Sequence, residues 1–451
     1  MELIKDKIIS PVDAANMVNS GDLVVIPVGR EPAAICYSLA ARMSELRNVR
    51  LAVGLGGRDF GWYDEGWEQS FQVETHYVMP LLMDGMAKAR FDFVVHDVLM
   101  RSRFDLDREI DVLLLSLSYP DKHGYCSFGG SVWYKKQQVQ YSKLVIAELV
   151  PNTIRTYGDN FIHCSEIDYF VEHVPVESGR SQGMRGGTRG GSGETERRIA
   201  DHVAGLIKDG DTIQIGIGSS TEALTDLGCF EGKNDLGIHS ELIPGAVIRL
   251  VQSGVITGTR KTLNRGVAVA TAVGGGHEEY AIVDGNPAFR LYGADYVNDP
   301  AIIARNDNLV AINTALSVDI YGQVMADSLG FRMVAGVGGQ LSFAVGASIS
   351  KGGRYIVALP SMTPKGESRI VFTPPVGTVV SVPRNLAGYV VTEYGVACLR
   401  GASQRRRAEA LVAIAHPDVR GELTRKMKSV FWGIPSRQGE ERQSRQGDVS
   451  A

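Results

Sequence analysis

Residues 199–227 read "IADHVAGLIKDGDTIQIGIGSSTEALTDL", and residues 14–43 read "AANMVNSGDLVVIPVGREPAAICYSLAARM". Each is an amphipathic helix, a Gly-Asp turn, a short apolar strand, a glycine-containing turn and a second helix. Gly210-Asp211 stands where the earlier stretch has Gly21-Asp22, and Gly216 and Gly218 fall near the place of Gly29. The rhyme predicts a duplicated α/β unit. Further apolar strands follow in both halves: "VRLAVGLGG", "IDVLLLSLS" and "LVIAELV", then "LVAINTALSVDI" and "GRYIVALPS". Helical patterns lie between several of them, which predicts two similar open α/β domains with mostly parallel sheets. Ligands of such sheets bind beyond the carboxyl ends of the strands, so the active site is expected in the cleft between the domains.

The chain has 451 residues, too many for one ordinary core and enough for two domains of roughly 200 each. Residues 178–194, "SGRSQGMRGGTRGGSGE", have linker composition, so the domains are expected at 1–177 and 195–435. Residues 436–451 contain a repeated SRQG and read as a solvated tail. Apolar residues at 44% and charged residues at 22% describe a globular protein, and 47 bases against 51 acids give a charge of −4. No field of that size invites nucleic acid or an anionic membrane. The first residues lack a signal-peptide core and no run of about 18 apolar residues occurs, so a cytoplasmic location is expected. Five scattered cysteines without a CxxC argue against a disulfide framework or a structural zinc. Cys126, near His123 in "HGYCSFGG", is the one cysteine in a polar, glycine-rich setting, but no third group to orient a thiolate is legible.

Three stretches can carry chemistry. "LGIHSELIPGAV", residues 236–247, reads as an apolar strand that breaks into a loop at His239, Ser240 and Glu241, before Leu242 and Ile243. A carboxylate held there, partly out of water, is a better nucleophile toward an acyl carbon than a solvated one. In "QIGIGSSTEAL", the turn Gly216, Ile217, Gly218, Ser219 and Ser220 leads into a helix whose free N–H groups suit a phosphate or an oxyanion. Neither a dinucleotide fingerprint nor a Walker loop fits it. In "VAGVGGQLSFAVGASISKGGRYIVALPS", Gly336, Gly338 and Gly339 let the backbone approach a ligand, and Gln340, Lys351 and Arg354 add polar and cationic groups.

These segments also carry a resemblance. "HSELIPGAV", "VITGTRKTLNRG", "DYVNDPAIIARNDNLVAINTALSVDIYGQVMADSLG", "GVGGQLSFAVGASISKGG" and "VVTEYGVACLRG" resemble the acetyl-CoA hydrolase/transferase family of class I CoA-transferases. They lie near its 4-hydroxybutyrate and butyryl-CoA:acetate transferases. "DKHGYCSFGGSV", "VIAELVPNTIRTYGDNFIH" and "IDYFVEHV" fit the same family in the first half. The resemblance implies that Glu241 forms a glutamyl-CoA thioester, and that CoA is substrate and covalent intermediate with no permanently bound cofactor and no metal. It implies CoA or oxyanion contacts from Gly216 to Ser220 and from Gly338, Gly339, Gln340 and Lys351. Gly29, Arg30, Glu31 and His239 are expected in the substrate pocket. Two departures stand out: Ser342 occupies a position where the family often has Asp, and Arg30 occupies one where a glycine is usual.

The function expected is transfer of CoA between a short-chain acyl-CoA and a free acid such as 4-hydroxybutyrate, butyrate, acetate or a dicarboxylate like succinate or itaconate. A hydrolase using the same site and a non-catalytic CoA-binding regulator are the alternatives. The partners expected are acyl-CoA, short carboxylic acids and further copies of the chain, as a homodimer or homotetramer.

Overall fold

A computed structural model describes residues 2–95, 97–99, 109–175, 193–216 and 219–432, with backbone only for 219–222. The first half builds an eight-stranded sheet from β1 (Ile8–Ile9), β2 (Leu23–Ile26), β3 (Val49–Val53), β4 (Phe71–Thr75), β5 (Asp92–Phe93), β6 (Ile110–Leu117), β7 (Ser142–Leu149) and β9 (Tyr169–Glu172). Between the last two, β8 (Tyr157–Gly158) leaves this sheet and joins the other. The second half supplies β10 (Thr212–Ile215), β11 (Gly237–Ile243), β12 (Ala268–Val273), β13 (Phe289–Leu291), β14 (Leu309–Asn313), β15 (Arg354–Ala358), β16 (Tyr389–Thr392) and β17 (Gly395–Cys398).

The two sheets have the same winding. From its first central strand the chain of the first half moves out one way through β2-β3-β4-β5 and then returns to the other side through β6-β7-β9. The second repeats this as β10-β11-β12-β13 and β14-β15-β16. Every pairing in the first sheet is parallel. In the second only β16 with β17 is antiparallel. Central strands are buried on both faces, which is why Leu23–Ile26 and the first four residues of Leu309–Asn313 are continuous apolar runs rather than alternating ones. In each sheet the direction of winding reverses beside the first strand, and the open crevice at such a reversal is where ligands of these folds bind.

The halves are tied together at the carboxyl ends of their strands. Residues 130–133 lie along β12: Val132 N–H donates to Thr271 O (2.8 Å), Val273 N–H to Gly130 O (2.8 Å), and Trp133 N–H to Thr271 Oγ1 (2.9 Å). Val28, Val98, Trp133 and Tyr134 of the first half share one apolar cluster with Leu242, Ala272 and Ala294 of the second, with Leu55 and Tyr77 packed against it. Because β8 pairs with β13 in the second sheet, the tertiary boundary is not a single point in the chain. Residues 178–192 of the expected linker and the whole expected tail lie outside the described residues.

One expectation needs correcting here. The strand around Glu241 does not break into a loop at His239; β11 continues to Ile243, and all seven of its residues are buried. The polar triplet is accommodated because β11 runs on past its pairing with β10, which ends at Ile238. Ser240 Oγ closes the gap, bridging the N–H and C=O of Ile215 at 3.3 Å each.

Candidate active site

Glu241 is 8% exposed. A carboxylate so placed needs donors, and two are supplied by the second half. Asn298, which closes the short helix α1 (Ala294–Val297), donates from Nδ2 to Glu241 Oε2 at 2.7 Å. The backbone N–H of Gly339, at the start of α2 (Gln340–Ile349), donates to the same carboxylate. Burial nevertheless dominates and raises the Glu241 pKa to about 7, with the charge of Asp97 adding to the rise and the two donors opposing it. Glycine at 339 is a steric requirement: a Cβ there would sit 2.2 Å from Glu241 Oε2 and 2.0 Å from Asn298 Nδ2. Gly338 supplies the turn, with φ at +57°.

His239 shares the β11 face of Glu241 by the two-residue period of a strand. It does not reach a pocket. It is fully buried, and its Nε2–H donates to Val297 O at 2.9 Å, which leaves Nδ1 buried with no partner. Burial and the neighbouring Lys261 charge lower its pKa to about 3, so the ring is neutral. The expected substrate contact is instead a support: His239 holds the residue preceding Asn298, and Asn298 holds Glu241. Lys261, also buried, ties the carbonyls of Ile238 (2.7 Å) and Val267 (2.9 Å) together beside it.

From the first half Asp97 enters the site. Its carboxylate accepts from Leu99 N–H at 2.8 Å and from the Ser342 hydroxyl at 3.1 Å to each oxygen. Burial raises its pKa. Ser342 thus uses its departure from the family pattern: it donates to Asp97, where a second aspartate would repel it. Tyr77 and the His76 carbonyl press on Gly336, at 2.2 and 2.5 Å from where a Cβ would be. Neither Asn298 nor Asp97 was singled out from the sequence, since they lie 57 and 144 positions from Glu241. The one sequence signal was an Asn inside the segment "DYVNDP" that already carried the family resemblance.

The remaining expected residues divide. Gly216 ends β10 against Asn313, whose Oδ1 is 2.5 Å from where a Cβ would be. Ile217 and Gly218 lie outside the described residues, as do the side chains of Ser219 and Ser220, although the helix they open is present as Ser219–Asp226. Gln340 faces inward, donating from Nε2 to Thr314 O (3.1 Å) and Tyr355 Oη (2.8 Å). Lys351 is exposed and stands beyond the far end of α2, by the amino end of β15. Ten helical residues at about 1.5 Å each separate the two ends, so the structure does not bring Lys351 to Glu241. Arg354 is taken up by an ion pair with Asp211 at that same amino end. Cys126 is fully buried, and burial pushes its thiol up to about 12, which removes it as a nucleophile.

Gly29, Arg30 and Glu31 do stand at the carboxyl end of the first sheet. Gly29, with φ at +131°, leaves room for Ser131 Oγ and Lys135 Nζ, 2.4 and 2.8 Å from a Cβ position. Lys135 Nζ donates to Ser131 O (2.8 Å) and Oγ (2.9 Å), and burial lowers its pKa to about 7. Glu31 accepts from Gly57 N–H at 3.0 Å, and burial raises it to about 7. The helix Ala33–Ala40 that follows has its Ala34 N–H already occupied by buried Glu148, at 2.9 Å. The anion position at this helix start is therefore filled by the protein's own carboxylate.

Among the described residues no group of three His, Cys, Asp or Glu side chains could hold a metal, and no helix is long and apolar enough to cross a membrane. Two family models match the chain: the acetyl-CoA hydrolase/transferase N-terminal domain over residues 3–176 and the C-terminal domain over 275–427. The 4-hydroxybutyrate coenzyme A transferase of Clostridium kluyveri is 38% identical over 95% of this chain and 99% of its own. The succinyl-CoA:cyclohexane-1-carboxylate CoA transferase of Geobacter metallireducens is 34% identical over 93% and 94%. Among solved structures, RipA from Yersinia pestis superposes with a TM-score of 0.85 at 30% identity, covering 96% of this chain and 99% of that one. The 4-hydroxybutyrate CoA-transferase of Porphyromonas gingivalis does so at 0.75 and 32%, covering 95% and 99%. With both domain models matched in order, and with relatives aligned over nearly its whole length, the chain belongs to the acetyl-CoA hydrolase/transferase family.

Proposed function

We propose that this protein transfers CoA from a short-chain acyl-CoA to a free carboxylic acid, with Glu241 as the covalent carrier. The observation that carries the reading is a buried carboxylate fixed by one side-chain amide and one backbone amide where the carboxyl ends of two doubly wound sheets meet. The names of the relatives, several of them CoA-transferases acting on 4-hydroxybutyrate, butyrate or succinyl-CoA, support it.

A Glu241 carboxylate oxygen attacks the thioester carbonyl carbon and the C–S bond breaks. This leaves an acyl-glutamyl anhydride and CoA thiolate. The thiolate then attacks the glutamyl carbonyl carbon, and the first acid departs as its carboxylate. A second acid runs the steps in reverse, so the kinetics are ping-pong. The Asn298 amide and the Gly339 N–H face the charge that develops on the Glu241 oxygen when the thiolate attacks the glutamyl carbon, and losing one such donor typically costs about 10²–10³ in rate. Burial serves the chemistry because the anhydride and the thioester both survive only where water is kept away.

The test is chemical. Acyl-CoA added without an acceptor, followed by borohydride and mass spectrometry, is expected to place a reduced modification on the peptide containing Glu241. Full exchange activity in Glu241→Ala would overturn the mechanism.

A further inference from the structure

The carboxyl end of the first sheet carries two cations that the transfer chemistry does not use. Arg30 follows β2 and Arg58 follows β3, two adjacent strands whose loops are joined by the Gly57 N–H to Glu31 hydrogen bond. Among the described residues neither guanidinium makes a hydrogen bond or ion pair, and Arg58 Nη1 is buried without a partner. Partial burial lowers the Arg30 pKa; Glu148 opposes this, and the charge of Arg58 lowers it further, so the two cations feel one another.

The acids nearby are already committed. Glu148 gives Oε2 to Ala34 N–H and Oε1 to His173 Nδ1 at 2.9 Å each. Glu31, which feels the Arg58 charge, gives an oxygen to Gly57. Lys135, on the other side of Gly29, is held by Ser131. Arg30, which is exposed, and half-buried Arg58, whose Nη1 is unpaired, are thus both available to an anion that is not part of the protein.

Val28 and Leu55, two and three residues before the arginines, pack in the same apolar cluster as Leu242, the residue after Glu241. The loops that carry the two arginines therefore pack against the strand that carries Glu241. We propose that Arg30 and Arg58 bind the distal carboxylate of a dicarboxylic acid of about succinate length, making dicarboxylates the preferred acids of this enzyme. This rests on the transfer function proposed above. The phosphates of CoA could satisfy the same charge, but they lie at the opposite end of the pantetheine arm from the reacting sulfur. A planar fork is suited to a carboxylate in a way that an ammonium is not.

The experiment compares succinate with butyrate, which lacks the second charge, as acceptors from one acyl-CoA donor in the wild type, Arg30→Met, Arg58→Met and Arg58→Lys. The ratio of kcat/KM for succinate to that for butyrate is expected to exceed 1 in the wild type. It should fall by roughly 10-fold or more in each Met variant, the scale of a charge-assisted hydrogen bond, with Arg58→Lys recovering only part of it. In parallel, succinate without CoA should raise the melting temperature of the wild type but not of Arg58→Met. A wild type that prefers butyrate overturns the proposal. So does a ratio that stays constant while KM for acyl-CoA rises with every acceptor, since that assigns the pair to the CoA phosphates. Exchange with no acid at all refutes the proposed function instead, and the succinate-dependent melting temperature then decides the guanidinium pair by itself.

Discussion

Replacing Glu241 by Gln should stabilise the protein, and only at neutral and alkaline pH. In the native state the carboxyl has a pKa of about 7, against an ordinary value of 4.5. The native chain therefore holds this proton more tightly than the unfolded chain does. Below about pH 4.5 both forms are protonated and the site costs nothing. Between 4.5 and 7 the unfolded chain ionises first and native stability is lost progressively; above about 7 the full penalty is in place. The gap of about 2.5 pH units, at roughly 1.4 kcal/mol each, amounts to about 3.5 kcal/mol. Gln has nearly the same shape, can still accept from Asn298, and does not titrate. Glu31 is also raised to about 7, but it is present in both proteins and cancels in the difference. With an unfolding entropy of roughly 2 cal/mol/K per residue, a chain of 451 residues should gain about 4 °C in Tm at pH 8 and close to nothing at pH 5. The assay is a pair of Tm-against-pH series at one scan rate, which keeps irreversible unfolding from distorting the comparison. Two curves that stay parallel from pH 5 to 8.5 would refute the claim that Glu241 is strained by burial. A Gln variant that gains stability and loses exchange would show a site held against its own folding preference.

Other outcomes follow from the same geometry. Only the ionised carboxylate is a nucleophile, so kcat/KM for acyl-CoA should rise about tenfold per pH unit below pH 7 and level off above it; a flat profile from pH 5.5 to 8 contradicts the Glu241 assignment. Asn298→Ala removes a donor to the charged form, which should raise the Glu241 pKa further, lower kcat/KM at pH 7 by roughly 10-fold or more, and shift the midpoint of the pH profile upward. Gly339→Ala places a methyl group against Glu241 and Asn298 and should abolish exchange while leaving a folded protein by circular dichroism. Lys351→Ala should change kcat/KM for acyl-CoA by less than about twofold, because α2 separates it from the carboxylate; a large rise in KM would show that CoA reaches around to the amino end of the sheet.

The sequence announced the duplicated α/β unit because each copy repeats helix, Gly-Asp turn, strand and glycine turn, and such signals are local. It also picked out Glu241 as the residue to watch, since a carboxylate inside an apolar run is conspicuous without any neighbour. It misjudged the backbone there. Three consecutive polar residues read as a loop, yet β11 continues through them because Ser240 finds Ile215, His239 finds Val297 and Glu241 finds Asn298 and Gly339. Polarity in a strand is tolerated when each group has a partner, and partners are a property of the fold.

The same distinction sorts the other residues. A glycine-rich stretch with a lysine at its end looked like one ligand-binding unit in "GVGGQLSFAVGASISKGG", but ten of its residues form a helix, and a helix places its two ends apart. Gly339 was therefore delivered to the site and Lys351 to the opposite edge of the sheet. Asp97 and Ser342 are 245 positions apart and meet only because two separate sheets turn their carboxyl ends toward each other. Local pattern, periodicity and turn chemistry determined that there would be two wound sheets and a carboxylate to be explained. Which donors hold that carboxylate and how far burial raises its pKa were decided by tertiary contacts, because desolvation and hydrogen-bond partnership depend on distance in space rather than distance along the chain.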